Sequence, residues 1–193
     1  MSIYNSTKRR AKVIGEIPPE YKERQDLYNE YFDFIHDNYQ GRAYLTVQFC
    51  KEMSIEQSQR MLNKLLGMTS TKMYGNNYTR RGRNNLIGYC VTEKNKLSIE
   101  RPDNIHFHMV LDDLKKTEDF YHAFKREFNE SVRRTCKNYS IKGEKPPVAP
   151  SSVCIKEVTD THNLLDYNLK TIKKDIYKTD NINFIHKGKL KFY

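Results

Sequence analysis

The chain has no tryptophan, only four cysteines in 193 residues, and no apolar run that approaches the length of a membrane span. Each absence removes a class of protein. The basic opening stretch, MSIYNSTKRRAKVIGE, carries no apolar block of the kind a secretory signal needs, so a cytoplasmic protein with no membrane role is expected. Cys50, Cys90, Cys136 and Cys154 stand far apart and form no paired metal spacing. They are expected to be free thiols, buried as small apolar residues. No internal repeat is visible, and no G-x-x-x-x-G-K-[ST] loop is present to cradle a nucleotide phosphate.

Positive charge and tyrosine are abundant. Lys and Arg number 34 against 24 Asp and Glu, for a net charge of +10. Such a field favours polyanions, of which nucleic acid is the commonest in cytoplasm. The 14 tyrosines, set beside Arg and Lys, suit single strands, whose unstacked bases offer π-faces.

Along the chain, residues 1–40 read as an appendage whose helix could cap the domain or contact a partner. A basic arm holds Lys8, Arg9 and Arg10. EYKERQDLYNEYFDFIHDNY then reads as a helix, with Leu27, Tyr31, Phe34 and Ile35 at helical spacing. YLTVQF, from Tyr44 to Phe49, alternates as a strand: Leu45, Val47 and Phe49 on one face, Tyr44, Thr46 and Gln48 on the other. Ser54 with Gln57 forms a capping box for a helix whose apolar face is Ile55, Met61, Leu62, Leu65 and Leu66, and which Gly67 is expected to end.

Lys72 to Asn85 reads as a loop by its Gly and Asn content. Lys72, Arg80, Arg81 and Arg83 are interleaved there with Tyr74 and Tyr78. The loop is therefore a candidate for nucleic-acid contact, or simply a solvated basic turn. LIGYCVTE and IHFHMVL read as the second and third strands. Thr117 opens a helix lined by Phe120, Phe124 and Phe128, and VCIKEV is a fourth strand. Thr159 or Asp160 caps a last helix running to about Lys174, followed by a basic tail from residue 179, HKGKLKFY included, that is expected to be exposed. The order of elements predicts an α+β fold: an antiparallel central sheet with helices on one face and the other face open for a ligand.

In the third strand Ile105, Phe107, Met109 and Leu111 point one way, and His106, His108 and Val110 the other. Two imidazoles roughly 7 Å apart along a strand can converge on one ion; the bland alternative is a pair of solvated histidines. Glu93, at the end of the neighbouring strand, would complete a His, His, Glu site suited to Mn²⁺ or Mg²⁺, although a glutamate entering a Lys-rich turn is ordinary. In the last helix, at 100° per residue, Leu164, Leu165, Leu169, Ile172 and Ile176 cluster on one side. Tyr167, Lys170 and Lys174 lie on roughly the opposite side. That phenol stands away from the core among ammonium groups, which favour phenolate and attract phosphate. A plain surface tyrosine is the alternative.

YLTVQF, IHFHMV and DYNLK, in that order, resemble the three motifs of the HUH endonucleases, specifically replication initiators of the Rep type with one catalytic tyrosine. The resemblance covers roughly residues 41–178. It implies a nuclease domain there, with the ferredoxin- or RRM-like sheet of that family. It implies a divalent ion held by His106, His108 and Glu93. It implies Tyr167 as the nucleophile that nicks and rejoins single-stranded DNA or an origin hairpin through a 5′-phosphotyrosine, with Lys170 beside the phosphate. Lys174 joins the candidate DNA contacts, and Tyr139 and Tyr177 are reserve nucleophiles. Relaxases usually place the tyrosine ahead of the histidines, and single-tyrosine transposases usually carry Gln where Lys170 stands, so the Rep reading is preferred. Unlike many viral Reps, this chain shows no helicase motif, so a host helicase and polymerase are implied partners. A transposase or relaxase of the same chemistry, or a non-catalytic single-strand binder, is the alternative.

Overall fold

In β1 (Ala43–Gln48) the alternation read from the sequence becomes burial: Ala43, Leu45 and Val47 are buried and the residues between them are only partly so. The computed structural model describes residues 19–49, 53–78, 84–95, 104–170, 181–186 and 188–190. β1 lies between β3 (Asn104–Asp113) and β4 (Val153–Glu157), and β3 pairs along its other edge with β2 (Leu86–Asn95), all antiparallel. The inward residues of these strands pack under two long helices, α2 (Ile55–Tyr74) and α3 (Phe120–Ile141). Phe120, Phe124 and Phe128 recur every four residues along α3 and are fully buried. Each such ring contributes about 1.5–3 kcal/mol of apolar burial.

The α+β class and the open antiparallel sheet match the expectation; the number of strands, the fate of the tail and the covering of the sheet differ from it. The sheet has six strands, in the order β4-β1-β3-β2-β5-β6. β5 (Ile182–His186) pairs with β2, and β6 (Lys189–Leu190) pairs with β5. The described part of the expected basic tail is thus sheet, with Leu190 buried and bonded through its backbone N–H and C=O to Asn63 of α2. Helices also lie on both faces. α1 (Pro19–Asn38) and α4 (Thr161–Asn168) pack on the second face, where Tyr28, Ile35, Leu165 and Leu169 meet Tyr89, Val91 and Val110. Residues 19–38 form the expected helix, and it packs on the sheet. They bury Tyr28 and Ile35, while Phe34, expected on the apolar side, is exposed.

Helix α2 does form its Ser54–Gln57 capping box, but it runs through Gly67 and ends at Gly75, whose φ of 85° suits only glycine well. Thr69 and Ser70, beyond Gly67, are buried against the core side. That packing outweighs the roughly 1 kcal/mol a mid-helix glycine costs. α3 starts at Phe120, because Thr117 is spent elsewhere: its hydroxyl and backbone N–H both donate to Asp113. Asp113 and Asp112, both buried, are held by Arg42, with Asn84 donating to Asp113 and Lys116 to Asp112. This knot closes the end of β3 remote from the histidines. Of the described cysteines, Cys90 is buried as expected, whereas Cys154 is exposed and Cys136 is intermediate. Among the described residues no helix is long and apolar enough to cross a membrane.

Gly88 lets β2 approach β3 closely. Its φ is +146°, and a Cβ there would lie 2.0 Å from the Val110 carbonyl oxygen. Only glycine fits a backbone contact of that kind.

Candidate active site

Antiparallel pairing aligns three outward side chains across the sheet. Gln48 of β1 stands opposite His106 of β3, and His106 stands opposite Glu93 of β2. One row on, Thr46, His108 and Val91 align in the same way. Register thus places Glu93 beside the histidines, inside the strand rather than in the turn that follows it.

His108 is nearly buried and gripped at both ring nitrogens. Nδ1 is hydrogen-bonded with the Tyr44 hydroxyl at 2.7 Å and the Thr46 hydroxyl at 3.2 Å, while Nε2 faces Glu93 Oε2 at 3.4 Å. The Tyr44 ring stacks parallel to the imidazole. The other carboxylate oxygen of Glu93 accepts from Lys170 Nζ at 3.1 Å. His108 is the main cause that holds the Glu93 carboxyl down at about 2; burial pushes the other way, and Lys170 adds to the lowering. Glu93 is therefore an anion at neutral pH. Burial, and then His108, lower the pKa of His106, which keeps that imidazole neutral. Tyr44 is pushed up, chiefly by burial.

The fourth element is α4. Asp160 caps it by accepting from the Asn163 backbone N–H, as expected of one of the two candidate caps. Leu165, Asn168 and Leu169 are buried on its inner side. Asn168 donates to the Tyr89 hydroxyl at 3.1 Å, and the Tyr28 hydroxyl of α1 donates to Asp166 at 2.5 Å. With its neighbours on both sides pinned, Tyr167 turns outward and is 49 % exposed. Its ring stands edge-on to His108, with centroids 6.3 Å apart. Lys170 Nζ lies 3.8 Å from the centre of the Tyr167 ring and so spans the space between phenol and Glu93. Burial works against the Lys170 charge, but hydrogen bonds to Tyr167 and Glu93 outweigh it and raise its pKa.

The sequence-predicted set of Glu93, His106, His108, Tyr167 and Lys170 therefore meets at one place. Lys174, Tyr177, Arg80, Arg81, Arg83 and the arm at Lys8 to Arg10 lie outside the described residues. The remaining candidates do not join the site. Lys72 is exposed on α2, on the opposite face of the sheet. Tyr74 is tied to Asp113 through its hydroxyl and packs partly buried beside the helical core, and Tyr78 is buried. Tyr139 packs beside the helical core. Sequence reasoning passed over Tyr44 and Thr46, the residues that hold His108 Nδ1. Their signal was their shared outward face in YLTVQF.

Among the described residues no three His, Cys, Asp or Glu side chains are already gathered tightly enough to cage an ion. The donor chemistry nonetheless suits one. Two ligands each about 2.1 Å from a divalent ion lie about 3.0 Å apart at a right angle and about 3.4 Å apart at the tetrahedral angle. His108 Nε2 and Glu93 Oε2 have that separation. The Nδ1 partners supply the outer hydrogen bonds that orient a ligating imidazole. The His106 ring, 6.4 Å from that of His108 centre to centre, is the third donor at hand.

No protein-family model, curated protein or solved structure matches this chain.

Proposed function

We propose that the protein nicks and rejoins single-stranded DNA by forming a covalent bond between Tyr167 and a backbone phosphate. The observation that carries the reading is the convergence of an exposed phenol with an ionised carboxylate, two histidines and a lysine, drawn from β2, β3 and α4. A surface tyrosine has no need of such company, and a core tyrosine would not point outward.

In the proposed reaction the Tyr167 oxygen attacks phosphorus as the bond from phosphorus to the 3′ oxygen breaks. The phenolic proton leaves to solvent, and the departing 3′ oxygen gains a proton. The products are a 5′-phosphotyrosyl protein and a free 3′-OH, which can later attack the same phosphorus and release the tyrosine. Lys170 holds positive charge beside both the phenol and the phosphate. Tyr44 and Thr46 fix the His108 ring with Nε2 turned toward Glu93; with the proton on Nδ1 the Nε2 lone pair would be free to ligate an ion. His106, His108 and Glu93 would hold a Mn²⁺ or Mg²⁺ ion, which when bound withdraws charge from a phosphate oxygen and orients it. This assignment, like the Rep-type role in starting replication at an origin hairpin, follows the family resemblance and the donor set.

The test is a denaturing gel of the protein with labelled single-stranded DNA and Mn²⁺, using a panel of hairpin-bearing strands. A covalent band is expected from the wild type. Y167F is expected to give no band, with DNA affinity within about twofold of wild type. A band that persists in Y167F would relocate the nucleophile. H106A/H108A, or a chelator added to the wild type, is expected to remove cleavage; cleavage that survives both would remove the metal from the reading. Tight DNA binding with no band on any strand would instead support a non-catalytic single-strand binder.

A further inference from the structure

Across the sheet from His106 and Tyr167, helices α2 and α3 border a cleft of about 990 Å³. Lys72 lines it from α2, and Arg133, Arg134 and Lys137 line it from α3, against one carboxylate, Glu130. Among the described lining residues that leaves a surplus of three positive charges. Arg133 reaches Glu130 only at 3.9 Å. Among the described residues, Lys72, Arg134 and Lys137 pair with no carboxylate. On α3, Lys137 lies one turn beyond both Arg133 (i+4) and Arg134 (i+3), and all three are exposed.

We propose that this cleft is a second nucleic-acid surface, which takes the phosphate backbone of a DNA duplex without reading its bases. Uncompensated cations in a concave site concentrate field and gain free energy by releasing the counterions condensed on a polyanion. Surfaces built for single strands add aromatic rings on which bases stack. Among the described residues of the lining the one aromatic is Tyr78, which is buried, with its ring packed over Gly188. Phosphate contact without stacking suits a duplex, whose bases are already covered by one another. Placed on the α2 and α3 side, the cleft would hold double-stranded DNA while the Tyr167 site on the opposite side stays accessible to a separated strand. Duplex binding here stands whether or not Tyr167 reacts.

The test is the salt dependence of binding for the full chain, read by fluorescence anisotropy with a 30-base-pair duplex and with a single strand of the same length. R133Q/R134Q/K137Q is expected to reduce the slope of log K against log salt on the duplex by about 2 to 3, at about 0.9 per lost phosphate contact. K72Q alone is expected to reduce it by about 1, which keeps the test open if the triple variant folds poorly. A control that removes three exposed cations elsewhere, K22Q/K115Q/K189Q, is expected to leave the slope close to wild type. An unchanged slope in the cleft variants, or an equal fall in the control, overturns the proposal. A fall confined to the single strand overturns the duplex assignment. Loss of binding to a polyglutamate peptide with duplex binding intact would assign the cleft to an acidic protein segment instead. Phosphotyrosine formation on a short, saturating single strand is expected to be unchanged in every cleft variant. A wild type that forms no adduct yet shows the slope changes would refute the nicking reaction alone.

Discussion

Gly88→Ala tests the strand pairing on which the whole site depends. Glu93 reaches His108 because β2 and β3 hold the register Gly88↔Leu111 through Glu93↔His106. An alanine at position 88 meets two penalties. Its φ of +146° is one that side-chain-bearing residues rarely adopt, at a cost of about 1–3 kcal/mol. Its Cβ would sit 2.0 Å from the Val110 carbonyl oxygen, a backbone atom that cannot rotate aside, so the strands must part, at a further cost of about 1–3 kcal/mol. The sum is about 4 kcal/mol, a large share of the roughly 5–15 kcal/mol that holds a domain together. With a urea slope near 2 kcal/mol per molar, the unfolding midpoint should fall by about 2 M. Gly67→Ala is the matched control. A Cβ there meets nothing within 4 Å, and the residue lies inside α2, so alanine should raise stability by about 0.5–1 kcal/mol. Urea unfolding of both variants, followed by circular dichroism, reads the two signs together. A midpoint shift under about 0.5 M for Gly88→Ala with an unchanged slope would refute both the strain and the close approach, and with them the register that brings Glu93 to the histidines.

Two further predictions concern what holds the sheet. Burial pushes the Asp113 carboxyl up, but Thr117, Asn84 and Arg42 outweigh it, so its folded pKa lies below the ordinary 3.8. That stabilisation is present above about pH 4 and is lost as pH falls through the depressed folded value. Asp113→Asn should therefore cost about 1–3 kcal/mol at pH 7, and the gap to wild type should narrow below pH 4; a gap of constant size down to pH 2.5 would contradict the assignment. Asn63→Ala removes both hydrogen bonds to the Leu190 backbone, which is buried in β6, and should cost about 1–3 kcal/mol by thermal or urea unfolding. No measurable loss would mean that β6 is not held against α2.

Periodicity was readable wherever it was local. The alternation of YLTVQF and IHFHMV placed the histidines on one face, the phenylalanine stripe marked α3, and the 100° spacing of the last helix set Tyr167 apart from Leu165 and Leu169. These patterns depend only on the pleat of a strand and the pitch of a helix, which every residue carries with it. Tertiary structure decided the rest. Whether Glu93 lay in a turn or beside His108 depended on cross-strand register. Whether Tyr167 reached the imidazoles depended on the docking of α4 through Tyr28, Tyr89 and its own leucines. The fate of Tyr74 and Tyr78 depended on Asp113 and Gly188, partners far from them in sequence. β5 and β6 were missed because they lie in a stretch read by its charge as a tail, and an edge strand gains its stability from the strand it joins. Local geometry writes itself into a sequence, whereas the free energy of bringing distant segments together belongs to pairs of residues that no single stretch contains.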